Sequence, residues 1–248
     1  MIVLTGANEA WPAEAKAGNS GQTVPMAHAS AHTHHHSHDR LIRWARIYDF
    51  GTGMLGRRGK RLRATLADDL QLQPGDRVLD VGCGPGRLAI VFAERVAPTG
   101  SVDGIDAAVE MINRASSRAR RRGVPATFQV ARAQDLPFAD ATFDAVACTL
   151  ALHHVAEDQQ HTAVEAMYRV LKPNGRLLIA EFHKGQRRRH VGPRWLRHSG
   201  VDMLDKAFQL VSASGFTDAR SKGTNLSWLG KITARKPEKS HTPTDGSS

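Results

Sequence analysis

Cysteine is almost absent: Cys83 and Cys148 stand alone, far apart and in apolar surroundings. With no CxxC pair, neither a disulfide framework nor a zinc site is expected, and two isolated thiols suit a reducing cytoplasm. Long apolar runs are missing as well. No stretch approaches the ~18 uncharged apolar residues of a membrane-spanning helix, so a soluble body without a membrane span is expected. The first fifteen residues have neither a basic start nor a continuous apolar core, which makes them a poor secretory signal. Acids are scarce relative to bases. Against 34 Lys and Arg stand 24 Asp and Glu, a formal charge of +10, and 25 of the cations are arginine. Such a surplus suits phosphates, acidic lipids or carboxylates, and equally a solvated arginine-rich surface.

What is present is enough apolar material for a packed core: 41% of 248 residues, a length suited to one domain with tails. Residues 1–39 are rich in Ala, Ser, Gly, Thr and His and poor in large aliphatics, so a disordered tail is expected. His34, His35, His36 and His38 lie in it without interleaved acids or cysteines, and no metal site is expected there. Residues 237–248 read as a second disordered tail. Residues 40–73 read as a helical segment: apolar residues from Leu41 to Tyr48 recur at helical spacing behind Asp39, and a second helix covers 59–70.

From 74 to 236 the apolar pattern alternates between strands and helices. Strands are expected at 77–81, 101–106, 126–132, 143–149 and 176–182, with helices at 88–96, 108–122, 159–170 and 201–214. Two last strands, 217–223 and 229–234, follow with a short link. This order implies an α/β fold with a doubly wound, mostly parallel sheet, an antiparallel hairpin at its C-terminal edge and leading helices. Its ligand crevice belongs at the carboxyl ends of the central strands.

The sharpest chemical feature is Val78-Leu-Asp-Val-Gly-Cys-Gly-Pro-Gly86, between the first strand and the next helix. Gly82, Gly84 and Gly86 permit a tight turn and close approach of a ligand to the backbone. Twenty positions further on, Asp106 ends the second strand, placed to accept from two ribose hydroxyls; Asp103 is a rival but sits earlier in that strand. A dinucleotide fingerprint needs G-x-G-x-x-G, whereas here the third glycine comes one position early and Arg87 takes its place. Asp80, inside the motif, repels a pyrophosphate and attracts an ammonium. A ligand with a ribose, an amino group and no phosphate fits these features, which describes S-adenosylmethionine.

The run resembles the first motif of class I S-adenosylmethionine-dependent methyltransferases, whose fold is Rossmann-like. Three further segments resemble that family's later motifs in order: Gly104–Met111 its ribose motif, Ala131–Asp144 its adenine loop and following strand, and Leu171–Ile179 its turn into the fifth strand. Leu152-His-His-Val155 and Tyr48-Asp49 are similar to the small-molecule branch typified by ubiquinone/menaquinone-biosynthesis C-methyltransferases. The resemblance implies S-adenosylmethionine as cofactor, Asp80 near its methionine end, Gly82, Gly84 and Gly86 beneath it, and Thr149 beside the methionine portion. It also implies that Arg132 and Ala133 flank adenine. The family commonly has Asp or Asn where Arg132 stands, and a guanidinium only donates, so adenine contact falls to the Ala133 backbone or to Gln134.

The implied activity is direct in-line methyl transfer to oxygen or carbon of a small-molecule acceptor. Where the acceptor must lose a proton, a base helps; His153 and His154, after the fourth strand, are the candidate catalytic residues, with His183 behind them. A basic segment, His183–His198, carries Arg187, Arg188, Arg189, Arg194 and Arg197 around Trp195, and suits an anionic acceptor, an acidic surface or RNA phosphates. An RNA methyltransferase of the same fold, a nicotinamide-dependent oxidoreductase and a cofactor-binding protein that no longer catalyses are the alternatives.

Overall fold

In Arg77–Val81 (β1) every residue after Arg77 is buried, as a strand covered on both faces requires. The same holds for most of Phe143–Thr149 (β4), where only Asp144 and Thr149 reach partial exposure. The computed structural model describes residues 56–183 and 202–238. The expected tail 1–39, the leading helix over 39–48, all of the basic segment 183–198 but His183, and the expected tail 237–248 beyond residue 238 lie outside the described residues.

In chain order the described elements are α1 (Gly56–Asp69), β1, α2 (Arg87–Val96), β2 (Ser101–Asp106), α3 (Val109–Arg122), β3 (Ala126–Val130) and β4. A 3-10 turn at Leu152–His154 and another at Glu157–Gln159 lead into α4 (Gln160–Val170). Then come β5 (Leu171–Phe182), α5 (Met203–Ala213), β6 (Thr217–Gly223) and β7 (Leu229–Arg235). One seven-stranded sheet has the order β3-β2-β1-β4-β5-β7-β6. The first five strands run parallel, while β7 pairs antiparallel with both β5 and β6. The order reverses between β1 and β4, so the crevice of a doubly wound sheet opens above that pair.

Period-two alternation assigns the two faces. Val78, Ala145, Ala147, Leu178 and Ala180 pack with Leu62 and Leu66 of α1 and with Leu88 and Phe92 of α2. Leu79, Val81, Val146, Cys148, Leu177 and Ile179 pack on the other face with Val164 and Met167 of α4 and Leu204 and Val211 of α5. Both cysteine thiols are free and buried. Burial pushes both well above the ordinary thiol range, which leaves them unreactive core residues.

Two strand boundaries differ from expectation by two residues or more. β3 stops at Val130, because Arg132 leaves the ladder for an isolated antiparallel bridge with Asp135. β5 starts at Leu171 rather than 176: Leu171 pairs with Phe143 and Arg176 with Ala145, so the residues between bulge out, with Asn174 left-handed at φ 62°. After β4 the chain enters a 3-10 turn, Leu152–His154. At the far edge, β6 is exposed along nearly its whole length, and its pairing with β7 shifts register between Thr217 and Arg220, where Asp218 has φ 54°. Among the described residues no helix is long and apolar enough to cross a membrane.

Candidate cofactor and acceptor site

β1 ends under α2, and the chain must reverse within five residues to enter that helix. Gly82 makes the reversal at φ 68°, and Gly86 caps α2 at φ 73°, both in the left-handed region that a side chain resists. The missing Cβ atoms do not leave open space for a ligand, as expected from the motif. A Cβ on Gly82 would lie 2.3 Å from the Ala151 Cβ, and one on Gly86 would lie 2.8 Å from the Ala115 Cβ. Protein atoms fill both places, so these two glycines let the turn press against the loop after β4 and against α3.

Asp106, at the carboxyl end of β2, holds that turn from the side. One carboxylate oxygen accepts from the Gly84 N–H and the other from the Ala108 N–H, each at 2.9 Å. Burial raises its pKa, and the two backbone donors oppose that rise. Asp103 is engaged elsewhere: it accepts from the Arg77 guanidinium at 3.1 Å and from the Thr127 hydroxyl at 2.6 Å. Of the two acids, only Asp106 stands at the glycine turn. Asp106→Ala is expected to weaken S-adenosylhomocysteine binding by roughly 1.5–3 kcal/mol, about 10- to 150-fold, through lost charge-assisted hydrogen bonds. Calorimetric titration checks this; an unchanged affinity would move the ribose contact away from Asp106.

Asp80 is 2% exposed, and its Oδ2 has no hydrogen-bond partner among the described residues. Burial foremost, and the nearby Asp106 second, push its pKa from 3.8 to about 7, against the pull of the Ala89 N–H. The Thr149 hydroxyl is a second buried oxygen without a partner. Val81 pairs with Cys148 across the β1–β4 junction, so Asp80, penultimate in β1, and Thr149, last in β4, lie near the ends of adjacent strands where the strand order reverses. Two orphaned oxygens there cost free energy unless a ligand satisfies them. An ammonium group with neighbouring polar atoms is the complement, and the donor set fits the methionine end of S-adenosylmethionine.

Arg132 is exposed, while Ala133 and Gln134 are half-buried. The Gln134 side-chain amide donates to Gln159 Oε1 at 2.8 Å, so its NH2 is committed to α4's entry rather than to the crevice. Sequence reasoning missed two apolar residues at this edge. Val109 and Val130, 48% and 53% exposed, are the large exposed aliphatics among the described residues. Val130 pairs with Asp106 at the end of the β2–β3 ladder, and Val109 opens the helix after β2, so both lie beside the ribose-type acid. A flat apolar ring above Asp106 would cover them.

The 3-10 turn carries His153 and His154 to the carboxyl ends of β4 and β5. Their rings lie 4.0 Å apart between centroids. Desolvation and the neighbouring His153 push the His154 pKa to about 4, although part of the residue remains open to solvent. His153 Nδ1 lies 2.8 Å from Oε2 of Glu181, a carboxylate the sequence pattern does not single out. His183 Nδ1 comes within 3.1 Å of Asp202 Oδ2, the residue that caps α5.

The reversed strand order, Asp106 at the glycine turn and the unpartnered Asp80 thus meet at the carboxyl ends of the central strands, where a doubly wound sheet has its crevice. Residues 78–175 match a family described as Methyltransferase domain (Methyltransf_25). The chain is 35% identical over 165 residues to the ubiquinone/menaquinone biosynthesis C-methyltransferase UbiE of Ectopseudomonas mendocina, covering 66% of this chain and 62% of that one. It is 41% identical over 124 residues to the 27-O-demethylrifamycin SV methyltransferase of Amycolatopsis mediterranei, covering 49% and 44%. The chain thus spans less than two thirds of the length of these relatives. A methyltransferase structure from Aquifex aeolicus, described as SAM-dependent, shares the fold: TM-score 0.60, 23% identity, 70% of this chain and 89% of that one. Residues 78–175 thus match a methyltransferase domain, and over a longer stretch the chain is similar to the UbiE C-methyltransferases.

Proposed function

We propose that this protein is an S-adenosylmethionine-dependent methyltransferase acting on oxygen or carbon of a small-molecule acceptor. The observation that carries the reading is the pair of buried, unpartnered oxygens on Asp80 and Thr149 at the strand-order reversal. When bound, the cofactor supplies a methyl group already activated on a positively charged sulfur. The protein's share is then to bind, align and dry the site. Asp80 and Thr149 would hold the amino-acid end, Asp106 the ribose, and the Ala133 backbone with Val109 and Val130 the adenine. Gly82, Gly84 and Gly86 shape the wall beneath, and Arg132 stays at the solvent rim. The acceptor enters from the β4 and β5 side, where His153 and His154 line the approach.

Relatives named for quinone C-methylation and for rifamycin O-methylation support a small-molecule acceptor, and none of the similarities favours the RNA or nicotinamide alternatives. Two buried thiols, both free, support a reducing cytoplasmic setting. The test is direct. S-adenosylhomocysteine is expected to raise the melting temperature of the purified protein, and NAD is expected to leave it unchanged. A shift with NAD alone would overturn the cofactor assignment. Labelled methyl transfer from S-adenosylmethionine across quinones, phenols, small amines and bulk RNA then identifies the acceptor.

A further inference from the structure

Residues 131–142 join the edge strand β3 to the central strand β4, with no regular structure beyond the bridge of Arg132 with Asp135. The loop is nonetheless tied down along its length. The Ala131 N–H donates to the Asp106 carbonyl at 3.2 Å, which joins the loop to the ribose-type acid. Helix α4 supplies the remaining ties. Gln159, at its entry, accepts from the Gln134 amide at 2.8 Å. In its last turn Arg169 donates from one guanidinium nitrogen to the Phe138 carbonyl at 2.8 Å and to Asp140 Oδ1 at 2.7 Å, and from the other to the Leu136 carbonyl at 2.9 Å. The ion pair with Asp140 is open to water, the two side chains being 39% and 75% exposed, and it contributes little. The weight rests on the two carbonyls, which a rigid planar fork reaches together where a lysine ammonium offers a single point. Within the loop so held, Ala133 is half-buried, and neither its N–H nor its C=O bonds to another backbone group among the described residues. A carboxylate or amide at position 132 would rotate to meet a purine's amino group. Arg132 only donates, so recognition falls to a backbone that cannot rotate and is placed by whatever holds the loop.

We infer that Arg169 is the positioning residue for the cofactor's adenine: by gripping Leu136 and Phe138 it sets the Ala133 N–H against the purine N1, and so decides the preference for a 6-amino over a 6-oxo purine. This rests on the methyltransferase reading above and deepens it at the adenine end of the same site. N1 of adenine is an acceptor and takes that N–H. N1 of hypoxanthine carries a proton, so two donors face each other and the backbone N–H is left unpaired. Arg169 itself stays on the α4 side of the loop and acts only through the backbone it holds.

The experiment titrates the full chain calorimetrically with S-adenosylhomocysteine and with S-inosylhomocysteine, which differ only at the purine 6-position and N1. Wild type is expected to bind the 6-amino ligand about 30-fold more tightly or better, as loss of a buried hydrogen bond implies. Arg169→Ala should bring that ratio below about fivefold, chiefly by weakening S-adenosylhomocysteine, and Arg169→Lys should fall between. Asp140→Asn, which leaves both carbonyl contacts in place, should keep the wild-type ratio. An arginine that merely supports the fold would lower the melting temperature of Arg169→Ala and leave the ratio untouched, and that result overturns the inference. So does a wild type that binds S-adenosylhomocysteine with no preference over the 6-oxo ligand. Leu136 remains buried in the core whatever stands at 169, which gives the loop a second foothold in the variant. Should Arg169→Ala still fail to fold, Arg169→Lys decides, since it keeps a cation beside Asp140 and loses the fork; an undiminished ratio there overturns the inference. Failure of wild type to bind either ligand would instead overturn the methyltransferase reading itself.

Discussion

Asp80→Asn is expected to make the ligand-free protein harder to melt at pH 8 while making it a poorer binder of S-adenosylhomocysteine. The carboxylate is buried, has one oxygen without a partner and faces Asp106, which together raise its pKa from 3.8 to about 7. A rise of that size corresponds to about 4 kcal/mol against the ionised form, an upper bound on what the neutral amide recovers. The sign follows from proton counting. Between pH 4 and 7 the folded protein retains a proton that the unfolded chain has released, so this group's contribution to stability falls as pH rises through that window and levels off above about 7. Ligand binding runs the other way, because an ammonium partner requires the ionised carboxylate. Affinity should climb about tenfold per pH unit up to pH 7, then flatten, and Asp80→Asn should bind about 10- to 100-fold more weakly with no such slope. Melting curves and calorimetric titrations from about pH 5.5 to about pH 8.5, spanning the titration on both sides, check both arms. A wild-type affinity independent of pH would remove Asp80 from the binding site.

Gly82→Ala is expected to cost about 2–5 kcal/mol of stability, from a left-handed backbone imposed on alanine and from a methyl group driven into a filled space. The added Cβ would sit 2.3 Å from the Ala151 Cβ. Gly123 supplies the control. It caps the C-terminus of α3 at φ 62°, and a Cβ there meets nothing within 4 Å, so Gly123→Ala should cost only the backbone strain, about 1 kcal/mol. Denaturant midpoints of the two variants measure the difference. Equal losses would show that the Gly82–Ala151 contact carries no weight. If Gly82→Ala remains folded, His153 should shift with Ala151, and methyl transfer should fall more steeply than cofactor affinity.

Elements whose side chains alternate against a core were legible in the sequence to the residue: Arg77–Val81, Ser101–Asp106 and Phe143–Thr149 begin and end where their patterns do. The site was legible where chemistry follows the chain. Asp106 stands next to the glycine turn because strand and turn are consecutive units of one motif. Long-range adjacency was not. Thr149 meets the end of β1 only because β4 returns beside it, and Ala151 reaches Gly82 for the same reason. Glu181 lies between Ala180 and Phe182 and reads as an outward charge on an alternating strand. It turns inward because the 3-10 turn after β4 brings two N–H groups and an imidazole over it. The motif likewise hides the reason for its glycines, since only the packing shows which atoms stand where their side chains would be.

A mostly parallel sheet that ends in an open strand offers a row of unpaired peptide groups to any other extended chain. In this protein that outer row belongs to β6, where the register slips between Thr217 and Arg220 and Asp218, Arg220 and Lys222 follow at every second position. An incoming strand would find its hydrogen-bond ladder interrupted after a few residues and would have to lie against charges of both signs. Self-association by continuation of the sheet is thereby discouraged at this margin.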